Sequence, residues 1–276
     1  MENRRKRKDG RGRKPAGGGE RGGKQIAAPD SPAGERLNRV IATAGIASRR
    51  GADELIAAGR VRINGRVVTE LGTRVHPSDD VSVDGNPVRR SIRRRYVLLN
   101  KPKDSITTVK DEHGRRTVID VIGGKERLFP VGRLDRNTTG VLLLTNDGEL
   151  ANRMTHPRYE VERTYRVKLD RALELEDARR IAGGLPIGNG EESGECYVSV
   201  NSGDRSEVEI TLHEGKNREV RRIFDAVGYD VKKLNRISYG GLTTTGMGRG
   251  EWRELSRAEV RDLRHRLGLD PRGGTV

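Results

Sequence analysis

Apolar and polar positions alternate with different periods along the 276-residue chain, and each period predicts an element. Leu37, Val40, Ile41 and Ala44 recur at the spacing of one helix face, and Gly45 follows as a stop. Ser48 is placed to cap a second helix with Ala52, Leu55 and Ile56 on one face, ended by Gly59. Val61-Arg62-Ile63 and Arg66-Val67-Val68 then alternate around Asn64-Gly65, which predicts a hairpin. Residues 96–99 read as a strand closing on Asn100-Lys101-Pro102, and the unbroken apolar run 141–144 suits a buried strand. Residues 117–122 and 148–154 predict short helices. Residues 161–169 alternate as a half-exposed strand with Val161, Arg163, Tyr165, Val167 and Leu169 on one face. A helix over 173–182 and strands over 196–200 and 206–212 come next. Asn217 is then the expected cap of a helix whose Val220, Ile223, Phe224 and Val227 share a face. Trp252 and Leu255 precede a last helix over 257–267, and no internal repeat is visible.

Charge divides the chain further. The formal net charge is +15, of which residues 1–34 carry +6 and residues 89–95 carry +5. A field of this sign and density favours a polyanion with closely spaced phosphates, because neutralising them releases counterions. Residues 1–34 lack large apolar side chains apart from Met1 and Ile26, so they are expected to be disordered until such a polyanion is bound. Arg89-Arg90-Ser91-Ile92-Arg93-Arg94-Arg95 is too dense in like charge for a core and reads as a linker. The expected organisation is a basic tail (1–34), a small domain (35–88), the linker (89–95), a larger domain (96–267) and a frayed end (268–276). No apolar run approaches the roughly 20 residues of a membrane span, and no apolar segment follows the amino-terminal charges. With one cysteine, Cys196, and five histidines without ligand spacing, the expectation is a cytoplasmic protein without a metal.

The unusual chemistry lies between residues 132 and 148. Glycines at 132 and 140 bracket Arg133-Leu134-Asp135-Arg136-Asn137-Thr138-Thr139, so one carboxylate sits on a tight turn between two arginines that favour its ionised form. Such a group either caps its own turn or does covalent or electrostatic work, and spacing alone does not separate the two. Tyr165 reads by pattern as a core residue, and Arg221, at the border of its helix's apolar stripe, as a snorkelling side chain.

Resemblance adds a direction. The stretch GRLDRNTTGVLLLTNDG resembles the catalytic-aspartate motif of bacterial ribosomal-RNA pseudouridine synthases, and Asp135 matches the aspartate. The strand before Lys101-Pro102 resembles the opening strand of that family's catalytic domain, although Lys103-Asp104 stands where the family usually has a glycine. ASRRGADELIAAGRVRINGRVV resembles the small RNA-binding domain of the kind found in ribosomal protein S4. GKNREVRRIFDAVG resembles the family's basic helix, with Arg218-Glu219 where many relatives have His-Gln, a variation similar to the large-subunit synthase B subgroup.

The resemblance implies an α+β protein: a small N-terminal S4-like RNA-binding domain, then a pseudouridine synthase catalytic domain with a mixed, largely antiparallel sheet. It implies isomerisation of uridine in large-subunit ribosomal RNA without a cofactor, on free RNA or a pre-ribosomal particle, by a monomer. Asp135 would be the catalytic carboxylate, Tyr165 the ring stacked on the flipped base, and Arg221 the basic partner of Asp135. Ile237 and Arg133 would line the uracil pocket. Arg49, Arg50, Arg60, Arg62, Lys216, Arg218 and Arg222 would contact RNA. Two other readings stay open: a synthase of small-subunit rRNA, and a non-catalytic rRNA-binding assembly factor. Attack on the sugar, attack on the ring and abstraction of a sugar proton are equally open for Asp135.

Overall fold

The computed structural model describes residues 34–89, 93–123 and 127–270. The expectations for residues 1–33 and 271–276, and for the middle of the linker, lie outside the described residues.

The first unit is built as its pattern demands. Strand β1 (Glu35–Arg36) leads into helices α1 (Leu37–Thr43) and α2 (Arg49–Ala57), followed by strands β2 (Val61–Ile63), β3 (Arg66–Val68), β4 (Arg74–Val75), β5 (Val81–Val83) and β6 (Asn86–Pro87). Ser48 caps α2, its hydroxyl accepting from Gly51 N at 2.9 Å. Asn64 and Gly65 both adopt positive φ, 48° and 79°, as the tight turn between β2 and β3 requires. Leu37, Val40, Ile41, Ala52 and Ile56 from the helices pack on Val61, Val75, Val81, Val83 and Val88 to form a small separate core.

The second unit runs β7 (Tyr96–Lys101), α3 (Val118–Ile122), β8 (Phe129–Pro130), β9 (Thr139–Thr145), α4 (Gly148–Thr155), β10 (Arg163–Leu169), α5 (Leu175–Ala182), β11 (Tyr197–Val200), β12 (Glu207–Leu212), α6 (Glu219–Ala226), β13 (Val231–Tyr239), β14 (Leu242–Thr243), β15 (Trp252–Glu254) and α7 (Arg257–Arg266). Its sheet has the order β11-β12-β10-β13-β9-β7-β15, with β8 beside β9 and β14 beside β13. Among the described strands the β9–β13 pair is parallel and the other pairs are antiparallel.

Both faces of this sheet are covered, which explains the unbroken apolar run. Leu142 and Leu144 join Val97, Leu99, Tyr165, Val167, Ile223 and Phe224 in one core. Val141 and Leu143 join Leu98, Leu150, Met154, Tyr239 and Leu263 in the other. A strand between two cores has no polar side to alternate with. Tyr165, Val167 and Leu169 share the first core as the strand pattern predicts, but Val161 precedes the strand and packs in the second.

The expected fraying from Gly268 is corrected for residues 268–270. Leu269 N donates to Arg264 O at 2.9 Å, and Arg264 holds the Asp270 carboxylate at 2.9 Å through both Nε and Nη2. The end of the linker is likewise tied down: Arg94 pairs with the buried Asp147 at 3.1 Å, and Arg95 Nε donates to Glu254 at 2.8 Å. Among the described residues no helix is long and apolar enough to cross a membrane.

Candidate active site

Asp135 lies on the loop that enters β9, and the loop is held from inside by a buried lysine. Lys101 is fully buried, and its Nζ lies within hydrogen-bonding distance of the carbonyls of Pro102, Asp135, Arg136 and Thr138 at 3.0–3.2 Å. Burial pushes the Lys101 ammonium down to about 8, against the opposing pull of the Asp135 and Asp104 charges. Thr107 Oγ1 brackets Leu134 from the other side, donating to its carbonyl at 2.7 Å and accepting from its N–H at 3.2 Å. Thr138 N closes the turn on Asp135 O at 3.0 Å. The carboxylate is thus presented by a fixed backbone.

Because several carbonyls converge on one ammonium, Lys101→Met should leave them buried without a donor. We expect a loss of about 3 kcal/mol, with each orphaned buried acceptor costing on the order of 1–3 kcal/mol. Thermal denaturation checks this, and an unchanged melting temperature contradicts it.

Asp135, Tyr165, Lys216, Arg218, Arg221 and Leu234 line one cavity of about 70 Å³. Tyr165 is supplied by β10 and is 9% exposed. Arg133 stands at the same cavity's rim and is exposed. Arg218 Nη1 lies 3.7 Å from Asp135 Oδ2, with both side chains partly in solvent. The Arg221 guanidinium is fixed by donating from Nη1 to Val231 O at 2.9 Å. Its pKa is lowered chiefly by burial and then by the Arg218 charge, while the Asp135 charge acts in the opposite direction. Arg221 therefore shares the field around Asp135, and Arg218 makes the ion pair within 4 Å.

Other expectations shift for identifiable reasons. Arg136 does not flank the Asp135 carboxylate, because its guanidinium pairs with Asp104 at 3.1 Å. Ile237 is not among the cavity-lining residues. Thr164 pairs with Ser238 and Tyr165 with Arg236, so Ile237 is the extra residue of a bulge. The aliphatic lining comes from Leu134, Leu212, Val220 and Leu234 instead, the last of them opposite Val167. Asn217 does not cap α6: the cap position is Arg218, in the left-handed conformation with φ 49°. Glu219 Oε2 accepts from Lys216 N at 2.9 Å and closes that turn in its place.

The expected RNA contacts separate into two groups. Arg49 and Arg50 are exposed at the start of α2 and have no ion-pair partner among the described residues. Arg60 is bidentate to Asp84 at 2.8 and 2.6 Å, and Arg62 donates to Gly65 O at 3.0 Å. Lys216 pairs with Glu214 and donates to Glu192 O at 2.7 Å. Arg222 holds the loop beside it through Ile187 O at 2.8 Å and Gly188 O at 2.6 Å, which removes it from the set facing solvent. Lys101 and Leu234 escape a reading by pattern, since a lysine at a strand end reads as solvated and a bulge leaves no local signal.

No cluster of metal-ligating side chains occurs among the described residues. The assembled groups are a carboxylate on a rigid loop, an aromatic ring, an aliphatic wall and cations at the mouth. This combination suits a planar base whose flanking backbone is anionic.

The RNA pseudouridylate synthase family profile matches residues 95–226, and the S4 domain profile matches residues 35–81. The chain is 43% identical over 235 residues to the ribosomal large subunit pseudouridine synthase B of Bacillus subtilis, covering 83% of this chain and 96% of that one. It is 42% identical over 238 residues to an uncharacterized RNA pseudouridine synthase of Aquifex aeolicus, covering 85% and 95%. A crystal structure of a pseudouridylate synthase matches with a TM-score of 0.61 at 29% identity, over 83% of this chain and 99% of that one. The chain belongs to the RNA pseudouridylate synthase family and carries an S4 domain ahead of its catalytic domain.

Proposed function

We propose that this enzyme converts uridine to pseudouridine in large-subunit ribosomal RNA, with Asp135 as the catalytic carboxylate. The observation that carries the reading is the shared cavity of Asp135, Tyr165 and Arg221, three side chains drawn from distant parts of the chain. The likeness to the Bacillus subtilis synthase, along 96% of that protein, supports the large-subunit assignment.

The target uridine leaves its stack and lies against Tyr165 and Leu234, while Arg133 and Arg218 at the mouth hold the flanking phosphates. Breaking the bond between N1 and the sugar builds positive charge on the sugar, which the Asp135 carboxylate stabilises or traps. The detached uracil turns and rejoins through C5. The C5 proton is lost and N1 gains one, so composition is unchanged and no cofactor is consumed. Exclusion of water protects the separated sugar from hydrolysis. The S4 unit, residues 35–88, adds phosphate contacts through Arg49 and Arg50, and the basic linker 89–95 joins it to the catalytic unit 96–267. The enzyme acts as a monomer in the cytoplasm, on ribosomal RNA or a pre-ribosomal particle.

Arg221 is expected to orient the reacting carboxylate or the ring beside it by its fixed charge. Arg221→Met should lower kcat/KM by about 100-fold and Arg221→Lys by about 10-fold, since lysine keeps the charge but loses the planar fork. Equal loss in both variants contradicts this.

The test of the whole reading is pseudouridine mapping in ribosomal RNA from cells with and without the gene. Loss of modification in large-subunit RNA alone is expected. Loss confined to small-subunit RNA makes it a small-subunit synthase, and no loss favours a non-catalytic assembly role.

A further inference from the structure

Beside Asp135 the cavity has a second carboxyl group, Glu219, that the mechanism above leaves unused. Glu219 is the first residue of α6 and is 4% exposed. Its Oε2 accepts from Lys216 N at 2.9 Å, and its own N–H donates to Lys216 O at 3.3 Å, so one residue closes the turn from both ends. That turn forces Arg218 into its left-handed conformation and sets it 3.7 Å from Asp135. The other oxygen, Oε1, is buried without a hydrogen-bond partner.

The groups around Glu219 come from three parts of the chain. Glu214 lies in the preceding loop, held by Gly194 N at 3.1 Å and by the Lys216 ammonium. Lys216 is thereby committed to Glu214 and to the Glu192 carbonyl. Cys196, just before β11, has its thiol pushed up to about 11 by burial and by the charge of Glu219. Arg218, Arg221 and Arg222 lie on the same helix turn, directed to Asp135, the Val231 carbonyl and the Ile187 and Gly188 carbonyls. Two carboxyl groups therefore share one lysine, and the lysine is on Glu214.

We propose that Glu219 is a positioning residue that acts as the neutral acid, its Oε1 carrying a proton directed to Glu214, and that its ionisation sets two carboxylates against each other and so displaces the 216–219 turn that places Arg218 beside Asp135. A proton on Oε1 supplies the missing hydrogen bond and removes the repulsion between the two carboxylates. Burial foremost, and the Glu214 charge, push the Glu219 carboxyl up to about 7, although the Lys216 N–H bond and ammonium pull it down. Because the folded value is raised, the contribution is complete below the ordinary carboxyl range and is lost as pH rises through about 7. The proposal rests on the assignment of Asp135 and adds a pH gate to its surroundings.

The test is the pH profile of tritium release from RNA labelled at uridine C5, for wild type, Glu219→Gln and Glu219→Ala. Wild-type kcat/KM should fall about 10-fold for each pH unit above an apparent pKa near 7. Glu219→Gln keeps both hydrogen bonds as a permanently neutral group. It should retain at least about a third of the wild-type value at low pH and stay level as pH rises, whereas Glu219→Ala should be about 30-fold low throughout. A glutamine variant that reproduces the wild-type alkaline fall, or is as damaged as alanine at low pH, overturns the proposal. Normal turnover by Asp135→Asn at low pH would instead overturn the assignment on which it stands.

Discussion

Asp135→Asn is expected to lower isomerisation by at least about 10,000-fold, the scale seen when a reacting carboxylate or nucleophile is removed. The fold should hardly register the change. The side chain is 39% exposed, and its ion pair with Arg218 at 3.7 Å is of the partly solvated kind, worth at most about 1 kcal/mol. The Asp135 backbone carbonyl still accepts from Lys101, so the loop keeps its internal anchor. Asparagine retains the shape and loses the negative charge that stabilises or traps the developing sugar cation. Single-turnover kinetics with saturating enzyme separate this from weakened binding. RNA affinity should stay within about twofold, because the phosphate contacts come from other side chains. Turnover within about 10-fold of wild type removes Asp135 from the mechanism.

The largest structural effect is expected at Gly140. Here β9 runs beside β13 in the parallel pair, with Gly140 opposite Arg236. A Cβ at this position would stand 2.1 Å from the Arg236 carbonyl oxygen and 2.4 Å from Asn235 Oδ1, and φ is +104°. The first obstacle is backbone and cannot swing away, and the second, a side-chain end, is held by Thr139 Oγ1 at 3.1 Å and Arg249 Nη1 at 3.0 Å. Arg236 is 2% exposed, donates from Nε to Val141 O at 2.8 Å, and stacks its guanidinium 4.3 Å over the Tyr239 ring. Alanine must therefore push the two strands apart, and the Asp135 loop enters the sheet on one of them. Gly140→Ala should destabilise the protein by about 4 kcal/mol, combining overpacking with backbone strain. For a domain of this size that is a drop of roughly 10 °C in melting temperature. Gly148→Ala is the control: a Cβ added there, at the first turn of α4, would meet nothing within 4 Å, so the change should be silent. Equal behaviour of the two variants contradicts the account of the parallel junction.

Much of this arrangement is legible in the residues. The run 141–144 is a strand buried on both faces, the stripe Val220, Ile223, Phe224 lies in the core, and Ser48 caps its helix as its position predicts. These signals are local. What escapes is set by contacts across the sheet. The parallel pairing of β9 with β13 joins segments about a hundred residues apart, and neither carries a mark of the other. The bulge opposite Thr164 and Tyr165 displaces Ile237 and leaves Leu234 as the β13 residue on the cavity's aliphatic side, and no period in β13 announces it. Lys101 reads as a solvated strand end, yet carbonyls from its own loop and the Asp135 loop surround it. Asn217 is a reasonable cap by residue type, but the turn before α6 is closed by Glu219 instead. Arg136 adjoins Asp135 in sequence, and the tight turn directs it to Asp104.

The most direct measurement is tritium release from full-length large-subunit and small-subunit ribosomal RNA transcripts, each labelled at uridine C5 and incubated with the purified protein. Forming the carbon link expels the C5 hydrogen, so released tritium counts isomerised uridines. The account predicts stoichiometric release from the large-subunit transcript, none from the small-subunit transcript, and none from either with Asp135→Asn. Release that persists in the Asp135→Asn protein, or no release from either RNA with the wild type, would contradict it.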